Sequence, residues 1–285
     1  MPARSGKGRL TEAGRDACAP RGIHKGIMLI IERRAKVLLL TLNRAEKRNS
    51  LHPDLIDHLS NALDDAADDE SLNVVVITGA GTTFCAGLDL NRLLGLETGG
   101  KIDYLEAVFA LFRRIYALPQ PVIAAINGPA VAGGFDLAAM CDLRLCAPTA
   151  TFAQTEILLG LTQIAYPLYK IIGFGRAKEM AMTGDAIDAD EAYRIGLVNH
   201  IYPGEELLEE ALKLAEKLAS RPRQALFETK RLCHDLLDVD TASAFERMKG
   251  AIIERLSSED HRRKAEEFVE RLRLKKRDLA TNEHE

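Results

Sequence analysis

Two adjacent glycines stand just ahead of an aspartate in the segment INGPAVAGGFDLAAMCDLRLC, residues 126–146. Gly133 and Gly134 cost backbone entropy on folding, and Asp136 puts a charge among apolar neighbours, so a plain core segment has no evident use for them. Glycines let a ligand approach the backbone closely, and a carboxylate can move protons. The combination indicates a site where backbone N–H groups and a carboxylate act side by side.

A second loop has the same physical character. The segment ITGAGTTFCAGLDLNRL, residues 77–93, leaves an apolar strand and reaches Ala86-Gly87 just before a predicted helix. Helix N-termini offer unpaired N–H groups and the positive end of the helix dipole, which suit a developing negative charge. Two such N–H groups, if they converge, would form an oxyanion hole. A dinucleotide-binding loop is disfavoured because GAGTTFCAG lacks the GxGxxG spacing and no acidic residue follows at the right distance.

Apolar patterning predicts the elements that would position these loops. The predicted strands are a pair over 28–44 with a turn near Glu32–Arg34, buried strands at 74–78 and 122–126, and two short strands around Pro148. Helical spacing is found over 52–69, a helix, turn, short helix and strand follow over 177–203, and four amphipathic stretches occupy 204–278. Strand–helix alternation followed by helices alone indicates an α/β core with a helical C-terminal layer.

Composition excludes several classes of function. The chain has 285 residues, a net charge of −4, 5% aromatic residues and no Trp, so a nucleic-acid-binding surface is not expected. No window of 18 apolar residues predicts a membrane span. The five cysteines form no CxxC pair and the seven histidines no HxxxH spacing, so no metal site is predicted and the thiols are read as reduced, in a cytoplasmic protein.

The first 27 residues are predicted to be a disordered extension. They are rich in Arg and Gly, have no apolar periodicity and lack the apolar region of a signal peptide. A transit peptide is disfavoured by Glu12 and Asp16. Met28 is a candidate native start because the first predicted strand begins there.

Several segments in register resemble the crotonase superfamily, also called the enoyl-CoA hydratase/isomerase family. They cover most of residues 28–273 and read LNRAEKRNSL, GTTFCAGLDL, NGPAVAGGFDLAAMCDLRL, FAQTEILLG, MTGDAIDADEAYRIGLVNHIYP and SSEDHRRKAEEFVERL. The resemblance implies an α/β fold of the crotonase type, a spiral of ββα units with a C-terminal helical trimerisation region. The change at residue 204 from strand–helix alternation to helices alone, and the charge of the last residues, divide the chain into a core at 28–203, a helical region at 204–275 and a charged tail at 276–285.

The resemblance also implies roles for four residues. Members of the family bind acyl-CoA thioesters and hold the thioester oxygen with two backbone N–H groups, which by position are those of Leu88 and Gly133. Family hydratases use two carboxylates around one water, here Asp136 and Glu156. Two are needed because water loses a proton to one group while the α-carbon gains a proton from the other. By itself, Asp136 could be a helix-capping carboxylate and Glu156 a surface acid.

Two departures from the family pattern bear on the reaction. The first acid is Asp rather than Glu, one methylene shorter, which withdraws the carboxylate by on the order of 1.5 Å. After Glu156 the chain reads GLTQIAYPLYK, so Ile164, Tyr166 and Leu168 replace small residues of the hydratase pattern. Ile164 also stands where dienoyl-CoA isomerases of this family carry a second Asp, which disfavours that reaction.

Further contacts are expected on the same grounds. Lys47 and Arg48 are candidate contacts for the phosphates of coenzyme A, with solvated loop charges as the alternative. The predicted substrate-binding set also contains Ala86, Gly87, Asp89, Leu90 and Gly134. Lys275 or Lys276 could reach the coenzyme A of a neighbouring subunit. The predicted partners are an acyl-CoA thioester and further copies of this chain, as a homotrimer or a dimer of trimers.

The sequence therefore predicts reversible hydration of a 2-enoyl-CoA to a 3-hydroxyacyl-CoA without a metal, nicotinamide or flavin. Coenzyme A enters only as part of the substrate. Two alternatives stay open: an enoyl-CoA double-bond isomerase that depends mainly on Glu156, and an acyl-CoA-binding protein that has lost catalysis.

Overall fold

The computed structural model describes residues 27–162 and 166–282, with side chains up to residue 274. Residues 1–26, which make up nearly all of the predicted N-terminal extension, lie outside the described residues, as do residues 163–165 and 283–285.

The strands confirm the predicted core. They are β1 (Leu29–Arg34), β2 (Val37–Leu42), β3 (Val74–Gly79), β4 (Val122–Ile126), β5 (Ala130–Val131), β6 (Leu143–Cys146), β7 (Thr151–Ala153), β8 (Ile187–Asp188) and β9 (His200–Ile201). The first turn differs from the expectation. It was predicted near Glu32–Arg34, but β1 continues through Arg34 and the chain reverses at Ala35, whose φ of 51° supplies the left-handed turn conformation.

The helices include the four predicted after residue 203. They are α1 (Pro53–Asp68), α2 (Leu90–Leu94), α3 (Thr98–Ala117), α4 (Gly133–Met140), α5 (Leu168–Ile172), α6 (Phe174–Thr183), α7 (Ala189–Arg194), α8 (Leu207–Ala219), α9 (Arg223–Asp235), α10 (Thr241–Leu256) and α11 (Glu259–Asn282). Two 3-10 helices add Ala45–Lys47 and Thr155–Leu159. In the described part of the chain, no helix combines the length and apolar character needed to cross a membrane.

Two sheets organise the core. The larger has the order β1-β2-β3-β4-β6-β9, in which β1 is antiparallel to β2 and the remaining neighbours are parallel. The smaller has the order β5-β7-β8, with β5 and β7 parallel. Because β3 and β4 are parallel neighbours, the loops that follow them emerge at the same edge of the sheet, which brings the two glycine loops together.

Helices cover both faces of the larger sheet. α1 buries Leu55, Ile56, Leu59 and Leu63, the i, i+3, i+4 spacing read from the sequence, in a cluster that also contains residues of α3 and α4. On the other face, α8 packs its buried residues against β2, β3, β4 and β6. The predicted C-terminal helical region therefore includes one helix that belongs to the sheet packing.

Candidate active site

The two glycine loops run side by side through backbone hydrogen bonds. Val131 N donates to Cys85 O at 3.0 Å, and Phe84 N donates to Pro129 O at 3.1 Å. Cys85 and Ala130 form a parallel bridge between the loops. Ala132 N donates to Ala153 O at 2.8 Å, which ties the second loop to β7. The loops are thus parts of one hydrogen-bonded unit.

Glycines permit this approach. A Cβ added to Gly134 would lie 2.1 Å from Cys85 O, so backbone occupies the place of a side chain. Gly87 has a φ of +83°, and a Cβ added there would lie 2.9 Å from Gly133 N. The glycines therefore serve close contact between the loops, which places Gly87, and Leu88 after it, against the start of α4.

The two N–H groups predicted to hold the thioester oxygen lie at this contact. Within residues 27–162 and 166–282, neither Leu88 N nor Gly133 N donates a hydrogen bond to a protein acceptor. Gly133 is the first residue of α4, and the N–H groups in the first turn of a helix have no acceptor inside that helix. A Cβ on Gly133 would lie 3.7 Å from Leu51 Cδ1 and 3.8 Å from Phe112 Cζ, so the surroundings are apolar. This arrangement can bind an oxygen that acquires negative charge.

Ala132 holds an unusual backbone conformation directly before α4. Its φ of 54° and ψ of −133° lie in a region that glycine adopts readily and alanine does not. Ala132 N and O are both engaged, since its carbonyl accepts from Phe135 N at 2.8 Å and from Asp136 N at 3.1 Å. The surrounding hydrogen bonds therefore hold Ala132 in a strained state that aims the first turn of α4.

Ala132→Gly is expected to stabilise the protein by about 1 kcal/mol, because relief of about 1–3 kcal/mol of backbone strain outweighs the added entropy of the unfolded chain. The measurement is the Tm, which should rise by about 2–4 °C. A Tm that falls would show that Ala132 is not strained in solution.

Asp136 lies in the first turn of α4 and is buried, with 3% of its surface exposed. Its Oδ1 accepts a hydrogen bond from Gln154 Nε2 at 3.2 Å. Its Oδ2 is buried without a hydrogen-bond partner among the described residues. Burial, and next the charge of Glu156, hold the pKa of Asp136 well above its ordinary value. Asp136 therefore does not cap the helix, and its second oxygen is available to a ligand.

Glu156 lies in the 3-10 helix that follows β7. Its side chain is half-buried, and its charge is close enough to raise the pKa of Asp136. Glu156 comes near α4 because β7, the strand before its 3-10 helix, lies beside β5, the strand before α4. The structure thus brings together the two carboxyl groups that the sequence predicted, which are 20 positions apart in the chain.

Asp136→Asn is expected to raise stability near neutral pH. The unfolded carboxyl ionises near 3.8, whereas the folded carboxyl keeps its proton to higher pH, so this group lowers stability as pH rises between the two values. The amide has no such dependence. Unfolding of both proteins by denaturant across pH checks this: the advantage of the variant should grow upward from about pH 4 and fade below it. A difference independent of pH would contradict the raised pKa.

The segment after β2 supports the first loop. Arg44 donates to Ser50 O at 2.7 Å and pairs with Asp89 at 3.1 Å, with both charged side chains largely buried. Asn49 donates to Ala80 O at 2.9 Å and to Thr83 O at 2.7 Å. Arg48 O accepts from Ala86 N at 3.0 Å. The segment LNRAEKRNSL, residues 42–51, thus supports the first loop through hydrogen bonds, and we call it the brace.

The predicted coenzyme A contacts lie on and beside this brace. The side chains of Lys47 and Arg48 are exposed, next to Ala86 along the backbone. Leu90 is exposed at the start of α2. The Asp89 carboxylate is engaged by Arg44 and accepts from Arg92 N at 3.2 Å, so it supports the loop, and a direct contact between Asp89 and substrate stays a prediction.

The chain matches the family model described as "Enoyl-CoA hydratase/isomerase" over residues 32–277.

The chain belongs to the enoyl-CoA hydratase/isomerase family.

Relatives within this family include the short-chain-enoyl-CoA hydratase of Clostridium acetobutylicum, which is 35% identical over 86% of this chain and 96% of its own. The 2,3-dehydroadipyl-CoA hydratase of Escherichia coli is 38% identical over 71% of this chain and 80% of its own. The crystal structure of an enoyl-CoA hydratase from Bacillus anthracis superposes with a TM-score of 0.84 at 33% identity, over 86% of this chain and 97% of that one. These relatives confirm the crotonase-type fold and a hydratase-like enzyme.

Four residues that support the candidate site of this family member were not predicted. They are Arg44, Asn49, Tyr104 and Gln154, all of them buried and polar or hydroxyl-bearing. Gln154 stands two positions before Glu156 and could have been suspected from that spacing. Arg44 comes two positions after the end of β2, yet the exposed Lys47 and Arg48 are equally basic, and sequence alone does not distinguish a buried cation from a solvated one.

Some of the predicted residues, or their side chains, lie outside the part of the chain that the structure describes. Ile164 is one of them, and the side chains of Lys275 and Lys276 are others. Leu168 is buried at the start of α5, and Tyr166 is partly exposed with its hydroxyl 2.8 Å from that of Tyr116. These two bulky residues therefore pack on α3 and the core.

Proposed function

We propose that this chain catalyses the reversible addition of water to a 2-enoyl-CoA, which gives a 3-hydroxyacyl-CoA. The observation that supports it most is a pair of carboxyl groups beside two backbone N–H groups that have no acceptor among the described residues. Burial, and next the charge of Glu156, raise the pKa of Asp136, and Gly133 N lies against Gly87, next to Leu88. The relatives named as hydratases of crotonyl-CoA and of short-chain enoyl-CoA support this reaction class.

The backbone N–H groups of Leu88 and Gly133 hold the thioester oxygen in this proposal. When the oxygen of water bonds to C3, electrons of the double bond move toward the thioester and produce an enolate. Two hydrogen bonds in an apolar, preorganised site stabilise that charge more than they would in water. The loops need no rearrangement to present these donors, because their backbones are already bonded to each other.

Asp136 and Glu156 handle the protons. One carboxylate takes a proton from the attacking water, and the other group, as the acid, gives a proton to C2 of the enolate. The repulsion between two close negative charges favours the state in which the pair keeps one proton, so one acid and one base are present together. The buried Oδ2 of Asp136, which has no partner among the described residues, is the oxygen aimed at the reacting groups.

Substrate binding and assembly complete the proposal. Lys47 and Arg48 contact the phosphates of coenzyme A, and Ala86, Gly87, Leu90 and Gly134 line its approach. The mechanism needs no metal, nicotinamide or flavin. Exposed apolar side chains on α10 and α11, such as Phe245, Ile252 and Phe268, support assembly into a trimer or a dimer of trimers. The cytoplasmic location stays a prediction.

A turnover assay tests this function. Purified protein is mixed with crotonyl-CoA, a short 2-enoyl-CoA, and the loss of the conjugated thioester absorbance is followed. The proposal predicts rapid loss with the wild type and slow loss with Glu156→Gln. No loss with the wild type, across acyl chains of several lengths, would contradict it. Tight binding of the thioesters without turnover would favour a non-catalytic acyl-CoA-binding protein.

A double-bond isomerase is the alternative within the family. It would need Glu156 as the group that moves a proton between carbons, and would depend less on Asp136. The short side chain of Asp136 and its bond to Gln154 are the observations on which this alternative rests. Conversion of a 3-enoyl-CoA to a 2-enoyl-CoA that survives Asp136→Asn but not Glu156→Gln would establish it.

A further inference from the structure

The Tyr104 hydroxyl of α3 lies inside the hydrogen bonding around Leu88. Leu51 N donates to Gly87 O at 2.8 Å, and Asp89 N donates to the Tyr104 hydroxyl at 3.0 Å. The hydroxyl in turn donates to Leu51 O. Leu51 and Leu88 form a parallel bridge. The hydroxyl therefore closes a ring of bonds that runs from Leu51 through the loop and back.

This ring holds both peptide planes that flank Leu88. The C=O of Gly87 and the N–H of Leu88 belong to one planar trans peptide and point in opposite directions. The bond from Leu51 N to Gly87 O therefore aims the Leu88 N–H away from Leu51. The next peptide plane is held through Asp89 N, and that bond depends on the Tyr104 hydroxyl.

The Tyr104 hydroxyl lies between two backbone groups: Asp89 N donates to it and it donates to Leu51 O, and the parallel bridge of Leu51 with Leu88 brings these two groups near each other. Arg44 and the helix N-terminus hold the side chain of Asp89, whereas the hydroxyl of Tyr104 is the acceptor for its N–H. Tyr104 and Leu51 are buried, with 4% and 0% of their surfaces exposed. Loss of the hydroxyl would leave the Asp89 N–H and the Leu51 carbonyl without this partner and release one side of Leu88.

The two proposed oxyanion donors differ in what holds them. Gly133 begins α4, whose eight residues are all buried, so the helix itself fixes that N–H. Leu88 lies in a loop that continues into α2, a helix of five residues without a buried member. The Leu88 donor therefore needs an additional support that the Gly133 donor does not.

We propose that Tyr104 is a positioning residue for the reaction: its hydroxyl fixes the Leu88 peptide so that the N–H meets the thioester oxygen. This inference rests on the proposed function only for the identity of the bound oxygen. Tyr104 touches no substrate. Its hydroxyl sets the direction of the Leu88 N–H, so the loss of that hydroxyl should change the rate of the chemical step more than the binding of coenzyme A.

Tyr104→Phe tests the inference, with Tyr116→Phe as the matched control. Tyr116 lies on the same helix and its hydroxyl bonds the Tyr166 hydroxyl at 2.8 Å, away from the loop. Tyr104→Phe should lower kcat for crotonyl-CoA hydration by on the order of 10- to 100-fold, with KM changed by less than about threefold. Tyr116→Phe should keep kcat within about twofold of the wild type.

An infrared measurement distinguishes a misdirected Leu88 N–H from a general loss of protein stability. Butanoyl-CoA, a saturated thioester labelled with ¹³C at its carbonyl, is bound to each protein and its C=O stretch is measured by difference infrared. Hydrogen bonds to the oxygen lower this frequency. The shift on binding should be large in the wild type and in Tyr116→Phe, and clearly smaller in Tyr104→Phe. All measurements are made below the Tm of the least stable variant.

The outcomes are distinguishable. A wild type that hydrates no enoyl-CoA contradicts the proposed function, but the infrared shift still judges the role of Tyr104, because it needs no turnover. Equal kcat and equal shifts in Tyr104→Phe and the wild type would overturn the inference. If Tyr104→Phe does not fold, hydrogen exchange in the wild type decides: slow exchange of the Asp89 amide supports the hydroxyl bond, and fast exchange overturns it.

Discussion

Asp136→Asn and Glu156→Gln are each expected to lower kcat for the hydration of crotonyl-CoA by about 10²- to 10⁴-fold. Each change replaces a carboxyl group by an amide of nearly the same size, which can neither take nor give the required proton. The double variant should lose little more than the worse single variant, because residues that act as a unit are not additive. Steady-state kinetics of the four proteins measure these effects.

Two exposed carboxylates offer matched controls for this prediction. Asp57→Asn on α1 and Glu216→Gln on α8 make the same chemical changes at exposed positions. Both should keep kcat within about twofold of the wild type. Each active-site variant is compared with its control variant. If it hydrates crotonyl-CoA as fast as the control does, the carboxyl group it lacks has no role in the reaction.

Gly134→Ala is expected to remove most activity and to destabilise the fold by more than about 2 kcal/mol. Its added methyl group would lie 2.1 Å from Cys85 O, so one loop must move relative to the other. A displacement of about 1 Å at the oxyanion donors can lower the rate by roughly 100-fold. The gain in helix propensity from Gly to Ala, about 1 kcal/mol, is too small to compensate. Tm and kcat measure the two effects.

Gly175→Ala is the matched control for the glycine prediction. Gly175 is also near the start of a helix, α6, and an added Cβ there meets nothing within 4 Å. This variant should keep its activity and gain stability by up to about 1 kcal/mol. If Gly134→Ala were as active and stable as Gly175→Ala, the close backbone contact between the two loops would be wrong.

Much of the fold could be predicted from the sequence because its signals are local. Leu55, Ile56, Leu59 and Leu63 mark α1 by their spacing, and the apolar runs at 74–78 and 122–126 mark β3 and β4. Two parallel strands that each end in a glycine loop indicate that the loops meet at one sheet edge. The pairing of Asp136 with Glu156 came from the family resemblance, since no local pattern relates α4 to the 3-10 helix after β7.

The supporting residues could not be predicted, because their roles depend on contacts distant in sequence. Tyr104 reads as one more apolar position of α3, and only the structure places its hydroxyl between Leu51 and Asp89. Arg44 and Asp89 are 45 positions apart and pair only after the brace and the loop meet. Ala132 gives no sign in the sequence of a left-handed φ, which glycine would have signalled.

The central claim is that this chain adds the elements of water across the double bond of a 2-enoyl-CoA, and isotopic labelling tests it most directly. The wild type converts crotonyl-CoA in a mixture of D₂O and H₂¹⁸O, and the product is analysed by mass spectrometry with fragment assignment. Hydration is expected to place ¹⁸O on C3 and one deuterium on C2 of the same molecule. Deuterium exchange with a shifted double bond and no ¹⁸O would contradict hydration and identify the chain as an isomerase.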